Sequence, residues 1–370
     1  MVDEAGTRTG VSAPHNQSEL HKILIVRLGA MGDVIHALPA AMYLKSVLPD
    51  AKFGWVVERR WSPLLEWKAE GQIFPNVVHK VDTRGWRKSL WSSRGEVSRS
   101  LGEIRAEKYD VVIDFQGAIK SAFISLLSGA PKRFGFADPW EKPASLFYTN
   151  AVQTESRHVV RKNRDLAMAV AGDSAEDIVS GSFFEWAPSD ASVHAWLDAE
   201  LQRLRLQSGF AIVNPGAGWG AKQWPVERYA EVAQELGAQG IRSLVNHGPG
   251  EEELAAHVEQ NSDGHAVASS FTISQLMAIT RKASLFIGGD TGPMHLAALL
   301  NVPVVALFGP TDPARNGPYG TKSIVLRDPA SVTSHKRVRE TEAGLRNITT
   351  AQVLKAAREL LQSKPEEVRA

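Results

Sequence analysis

"LFIGGDTGPMHLAALL", from Leu285 to Leu300, reads as a buried strand that ends in two glycines and turns directly into a helix. Pro293 suits the start of that helix, where a missing N–H costs nothing. The free N–H groups of Thr291, Gly292 and the first turn, together with the helix dipole, form a site for an anion such as a diphosphate. Asp290 has two readings of equal standing, a helix N-cap or a ligand contact. His295 lies one turn inside the helix, within reach of the same anion; taken singly it reads as a structural or surface histidine.

The same strand–glycine–helix form recurs along the chain. It appears in "KILIVRLGAMGDVIHALPA" (Lys22–Ala40), "DVVIDFQGAIKSAFISLL" (Asp110–Leu127), "IVNPGAGWGAKQWPVERYAEVAQEL" (Ile212–Leu236) and "VNHGPGEEEL" (Val245–Leu254). Short apolar runs alternating with helical patterns predict an α/β fold with parallel sheets. The pattern restarts around "EWAPSDASVHAWLDAELQRLR" (Glu185–Arg205), which places a hinge near residues 175–190 and predicts two similar α/β halves. The expected division is a flexible tail over 1–20, a first domain over 21–180, a second over 181–348 and a C-terminal helix in 349–370. Ligand is expected in the cleft between the halves, at the carboxyl ends of the strands.

Composition narrows the function. The 370 residues exceed the usual size of a single core, with 43% hydrophobic and 22% charged residues, as in an ordinary globular protein. A formal net charge of +1 argues against bulk binding to nucleic acid. No cysteine is present, so disulfides, thiolate metal sites and thiol nucleophiles are excluded. The first twenty residues contain no continuous apolar segment of the kind found in signal peptides, and no apolar run has the length of a membrane span.

Each remaining turn carries a sharp and a plain reading. Lys222 follows Gly216, Gly218 and Gly220; it is either a point charge for phosphate or an exposed cation ahead of a helix start. The loop is not a Walker A motif, because the lysine lacks the G-K-[ST] context. Glu251, Glu252 and Glu253 begin a helix and either complement its dipole or bond nucleoside hydroxyls. "DVVIDFQG" brings Asp114, Gln116 and Lys120 towards the cleft. "DTRGWRKSLWSSRGEVSRS" interleaves Arg84, Arg87, Lys88, Arg94 and Arg99 with Trp86 and Trp91, which is a solvated face or a surface for anionic lipid. The turn "GAMGD" is not the dinucleotide fingerprint G-x-G-x-x-G. Its Asp33 is either an N-cap or a general base on the acceptor side of a cleft whose other side holds a polyanionic leaving group.

Taken together, "KILIVRLGAMGDVIHALPA", "FGWVVE", "YDVVIDFQGAIKSA", "ASLFY", "NPGAGWGAKQWP" and "GGDTGPMHLAALLNVPVVALFGPTDPARNGPYG" resemble the bacterial lipopolysaccharide heptosyltransferases, glycosyltransferase family 9, over about residues 22–362. The resemblance implies a GT-B fold, two Rossmann-like domains with parallel sheets facing a central cleft, with the C-terminal helix packing back on the first domain. It implies inverting, metal-independent transfer of L-glycero-D-manno-heptose from ADP-heptose to a Kdo residue of Kdo-lipid A, with no cofactor. The alternative is a family member with a different acceptor, such as an already attached heptose, or a different sugar. Carried over by position, Asp33 is the base and Lys222 stabilises the departing diphosphate. Gly216, Glu251, Asp290, Thr291, Gly292 and His295 belong to the donor side, with Glu252 an alternative to Glu251. Gly32, Gln116 and Lys120, with the basic residues Arg84, Arg87 and Lys88, belong to the acceptor side. A place on the cytoplasmic face of the inner membrane, held peripherally by anionic lipid, follows from the same resemblance. "DPASVTSHKRVRETEAGLRN" (Asp328–Asn347) matches none of the family's motifs.

Overall fold

The computed structural model describes residues 20–65, 67–69, 72–88, 90–172, 191–206, 209–334 and 336–362. The proposed tail and the hinge at 175–190, with the boundary between the two domains, lie outside the described residues or nearly so.

The first half runs β1 (Lys22–Val26), α1 (Met31–Val47), β2 (Lys52–Glu58), β3 (Trp67–Ala69), β4 (Gln72–Phe74), β5 (Val77–Val81), α2 (Thr83–Lys88), α3 (Leu90–Ala106), β6 (Val111–Asp114), α4 (Ile119–Leu127), β7 (Lys132–Phe136), β8 (Asn150–Val152) and α5 (Val159–Ala171). The second half runs α6 (Ala191–Arg203), β9 (Ala211–Asn214), α7 (Val226–Ala238), β10 (Ser243–Asn246), α8 (Glu252–Gln260), β11 (Ala266–Ser269), α9 (Ile273–Thr280), β12 (Leu285–Gly289), α10 (Gly292–Leu299) and β13 (Val304–Phe308). It closes with α11 (Pro313–Asn316), β14 (Ser323–Arg327), α12 (Ala343–Asn347) and α13 (Thr350–Gln362).

Two parallel six-stranded sheets result, β5-β2-β1-β6-β7-β8 and β11-β10-β9-β12-β13-β14. β3 and β4 form a separate antiparallel hairpin. Both sheets have the doubly wound order, in which the chain moves outward in one direction and then returns to start in the other. Their switch points fall between β1 and β6 and between β9 and β12, and loops diverge there to leave a crevice at the strands' carboxyl ends. The central strands are apolar throughout because helices cover both faces, as ILIV in β1 and VVALF in β13 illustrate. This architecture is GT-B.

One continuous apolar cluster joins the halves, running from Ile23, Ile25 and Met31 to Met294, Leu296 and Phe308. α1 makes that junction, packing against α5 on one side and α10 on the other. It begins at Met31, ahead of the first apolar-periodic residue Val34, and Pro39 lies in its interior.

The C-terminal helix departs from expectation. Over its described residues α13 packs on α7 and on β12, β13 and β14 of the second sheet, where the expectation placed it on the first domain. Its stripe of Val353, Leu354, Ala356, Ala357 and Leu360 joins the apolar cluster of Val213, Trp224, Val305 and Leu307. The segment before it is tied to that side by Trp224 Nε1, which donates to the Ile348 carbonyl at 2.9 Å. A stripe only this wide is satisfied by the nearest uncovered apolar face, and that face belongs to the second sheet.

Candidate functional site

At the two switch points, the β1–α1 turn of one sheet meets the β12–α10 turn of the other. The N-termini of α1 and α10 come into direct contact. A Cβ on Gly32 would stand 2.6 Å from His295 Cδ2, and one on Gly292 would stand 2.7 Å from Met31 Sδ. Glycine at both positions is what allows the two helix starts to approach this closely.

On the second-domain side, Lys222 and Asp290 form a pair removed from solvent. Lys222 Nζ donates to Asp290 Oδ2 at 2.6 Å and to the Asp290 carbonyl at 2.9 Å, with the lysine side chain 12% exposed. The other carboxylate oxygen, Oδ1, lies 3.1 Å from His295 Nε2. Burial would push the Asp290 carboxyl up, but the His295 hydrogen bond and the Lys222 charge outweigh it and hold the group well below the usual carboxylate range. Asp290 is therefore not the N-cap. Thr291 takes that position, and its buried Oγ1 has no hydrogen-bond partner. Lys222 is not an exposed cation, and His295 is not a surface residue.

This chain of contacts crosses between the domains, which no local sequence pattern signals. His295 Nδ1 is 3.0 Å from Nε2 of His36, a buried residue of α1. Burial first, then the closeness of the basic side chains of His295, Arg27 and His158, push His36 well below its ordinary value, which favours the neutral ring. Its Nδ1 has no partner. Placing the proton on Nε2 leaves an unpaired acceptor at Nδ1 rather than an unpaired buried N–H, which assigns His36 as donor to His295. His158, the N-cap of α5, lies beside this pair, and its Nε2 is 3.1 Å from the Gly317 carbonyl.

On the first-domain side, Asp33 stands in the first turn of α1 with its side chain 42% exposed. Oδ2 accepts from the Ala30 N–H at 2.8 Å, and Oδ1 meets the guanidinium of Arg27 at 2.7 Å. Arg27 is buried and also donates to the Phe115 carbonyl, so it ties the β1–α1 turn to the β6–α4 turn. Gln116 makes a second tie, its Oε1 accepting from the Leu28 N–H at 3.2 Å. Asp114 does not reach the cleft. It is fully buried and accepts from Ser121 Oγ, the Tyr148 hydroxyl and the N–H groups of Gln116 and Gly117, while burial pushes its carboxyl up. Lys120 is exposed and its Nζ lies 3.3 Å from Thr83 Oγ1, which in turn donates to Glu58. Arg84 is exposed on α2 near Arg60. Arg87 and Lys88 belong to the same helix, and their side chains lie outside the described residues.

The β9 and β10 loops are joined by Asn246 Nδ2, which donates to Asn214 Oδ1 at 2.7 Å. Glu251 leans across them. A Cβ on Gly216 would fall 2.1 Å from its carboxylate carbon, and Oε2 accepts from the Gly248 N–H at 2.8 Å. Glu252 and Glu253 are exposed in the first turn of α8, where the helix N–H groups favour their charge. The stretch Asp328–Asn347, for which the sequence suggests no role, lies on the Lys222 loop. The Ala221 N–H donates to the Val338 carbonyl, the Glu342 N–H donates to the Ala221 carbonyl, and Arg337 stacks over Trp219.

This arrangement sets cationic and N–H donors on one wall and an exposed carboxylate on the other. Among the described residues no three His, Asp or Glu side chains converge as a metal site. A family model described as glycosyltransferase family 9 (heptosyltransferase) matches residues 97–345. Lipopolysaccharide heptosyltransferase 1 of Escherichia coli strain K12 is 30% identical over 315 residues, 83% of this chain and 94% of that protein. The structure titled E. coli heptosyltransferase WaaC with ADP superposes with a TM-score of 0.74 at 28% identity, covering 92% of this chain and 99% of that one. The same enzyme with ADP-2-deoxy-2-fluoro heptose superposes with a TM-score of 0.72 at 28% identity, covering 91% and 99%.

Proposed function

The chain belongs to glycosyltransferase family 9, and from that premise we propose that it transfers L-glycero-D-manno-heptose from ADP-heptose to a Kdo residue of Kdo-lipid A, with inversion and without a metal ion. It is a heptosyltransferase of lipopolysaccharide core biosynthesis, similar to heptosyltransferase 1.

The observation that carries this reading is the meeting of two differently equipped helix starts. α10 offers the N–H groups of its first turn, which have no partner within the helix, and the unpaired Thr291 Oγ1 beside Lys222. A lysine ammonium has three N–H donors, and Asp290 accepts from two, leaving one for a phosphate oxygen. α1 offers the exposed Asp33 carboxylate on the facing wall. In the proposed reaction an acceptor hydroxyl gives its proton to Asp33 as its oxygen bonds to the anomeric carbon. The bond from that carbon to the phosphate oxygen breaks on the opposite face, and ADP leaves with the electron pair. Donors fixed before the reaction stabilise the developing negative charge without reorganising, the role that Lys222 and the α10 N-terminus fill here.

Glu251 suits the ribose. Its Oε1 has no hydrogen-bond partner among the described residues, and it sits at the Gly216 loop, whereas Glu252 is turned to solvent. Gly32, Gln116, Lys120, Arg84, Arg87 and Lys88 are assigned to the acceptor, and the anionic inner-membrane surface is the proposed site of work. Among the described residues no helix is long and apolar enough to cross a membrane.

The test mixes the purified protein with ADP-heptose and Kdo-lipid A and follows ADP release and product mass. Heptosylated Kdo-lipid A, formed equally well in EDTA, is the expected outcome. Turnover only with an acceptor that already carries heptose would overturn the Kdo assignment. A loss in EDTA that Mg²⁺ restores would overturn the metal-free one.

A further inference from the structure

α4 is apolar on its outward face as well as its inward one. Ile119, Phe123 and Leu126 lie at i, i+4 and i+7, and all three are exposed, Phe123 by 49%. Beside them runs the turn Lys142–Phe147, where Leu146 is 84% exposed and Phe147 packs edge-on to Phe123 with ring centroids 6.4 Å apart. Trp140, also exposed, lies at the start of α4, where its backbone N would be 3.3 Å from a Cβ on Gly117. Scattered exposed apolar residues need no explanation, but four gathered on two adjacent elements form a patch.

Three features identify what covers it. First, Ile119–Leu127 and Lys142–Phe147 contain Lys120 and Lys142 and no carboxylate. The exposed Glu141 between Trp140 and this turn is engaged, its Oε2 accepting from the Ile119 N–H at 2.7 Å. Second, a pair of copies joined through this face would bring like charges together. Third, the patch begins directly after Gln116 and Gly117, beside the acceptor side of the crevice. We propose that this face docks on an anionic lipid bilayer, with Ile119, Phe123, Leu126 and Leu146 entering the acyl boundary, Trp140 at headgroup level and Lys142 on a lipid phosphate. The inference rests on the acceptor being a sugar anchored in that bilayer. It differs from attraction through the basic residues Arg84–Arg99, because the contact is apolar at its centre.

The test uses the full chain, the single variant Leu146→Ser and the double variant Phe123→Ser/Leu146→Ser. Flotation with phosphatidylethanolamine–phosphatidylglycerol vesicles should show binding that survives high salt in part, and that weakens about 10-fold or more in the double variant. Transfer to Kdo-lipid A in those vesicles should fall in parallel, while transfer to a deacylated, soluble Kdo acceptor stays unchanged. The single variant, at a fully solvated position, should retain the wild-type unfolding temperature and show a partial loss of binding. Equal vesicle binding by all three proteins would overturn the proposal. So would a variant that binds vesicles normally but loses a dimer in sedimentation. Failure of the wild type to heptosylate either acceptor would instead overturn the acceptor assignment and leave the vesicle result to be judged alone.

Discussion

His36 Nε2 and His295 Nδ1 stand 3.0 Å apart, one on α1 and the other on α10, and so join the two domains through their helix starts. Through His295 the contact reaches Asp290 and then Lys222. His36 is a positioning residue in this arrangement: it holds the His295 ring, which in turn meets Asp290.

The pair makes stability depend on pH in a direction that can be worked out. His36, His158 and His79 are all pushed below the ordinary histidine value of 6.5, chiefly by burial. As pH falls below about 6.5 the unfolded chain takes up these protons before the folded one, so stability is full above that value and is lost on acidification. Asp290, also lowered, loses its contribution only at much lower pH. His36 faces His295, Arg27, His158 and Asp290, and only the last favours its charged form. His36→Gln should reduce the slope of unfolding free energy with pH between about pH 7 and pH 5.5 by up to ~1.4 kcal/mol per pH unit. An unchanged slope would show that His36 does not stay neutral in the fold. The same variant should lower kcat about 10-fold while the KM for ADP-heptose moves less, as expected if Lys222 acts mainly in the transition state.

Lys222→Met leaves the buried Asp290 carboxylate with His295 alone. Loss of one partner of a buried pair costs ~3–5 kcal/mol, and loss of one transition-state donor costs roughly 100- to 1000-fold in rate. The double variant Lys222→Met/Asp290→Asn removes the orphaned charge. It should recover most of the unfolding temperature and none of the activity. Recovery of both would make the pair purely structural.

Asp33→Asn should keep its bond to the Ala30 N–H and lose the base. We expect transfer to fall by ~100- to 10,000-fold, with ADP-heptose affinity by calorimetry within about twofold of wild type. Wild-type turnover would remove the base assignment.

Gly216→Ala places a methyl group where the Glu251 carboxylate lies, 2.1 Å from its carbon. The carboxylate must swing away, and affinity for ADP-heptose should drop about tenfold with the fold intact. If Glu251→Ala weakens affinity equally and the double variant adds nothing further, both act at one ribose contact. Additive losses would mean that they act separately.

Local sequence contained much of the fold. Strand, glycine and helix start lie within a dozen residues at Lys22–Ala40 and again at Leu285–Leu300, and each segment's own periodicity declares it. The edge strands Val77–Val81, Asn150–Val152 and Ser323–Arg327 were not legible, because they are short and half-covered and so show neither a continuous apolar run nor clean alternation. α5 is hard to read in the sequence for a similar reason: its charged residues conceal a stripe that packs on α1. The direction of α13 was misjudged because an amphipathic stripe states that it needs a partner without stating which one.

The residues that carry ligand chemistry could be chosen from the sequence because phosphate, sugar and lipid each require particular groups at particular turns. Glycines before Lys222, a carboxylate after Gly32 and a helix start at Gly292 are such groups. The state of those groups could not be chosen in the same way. The exposure of Asp33 beside the buried Arg27, the pairing of Lys222 with Asp290 and the link from His36 to His295 join residues that lie from 6 to 259 positions apart. Charge, burial and hydrogen bonding at a site depend on distance in space, and only the apposition of two sheets at their switch points fixes that distance.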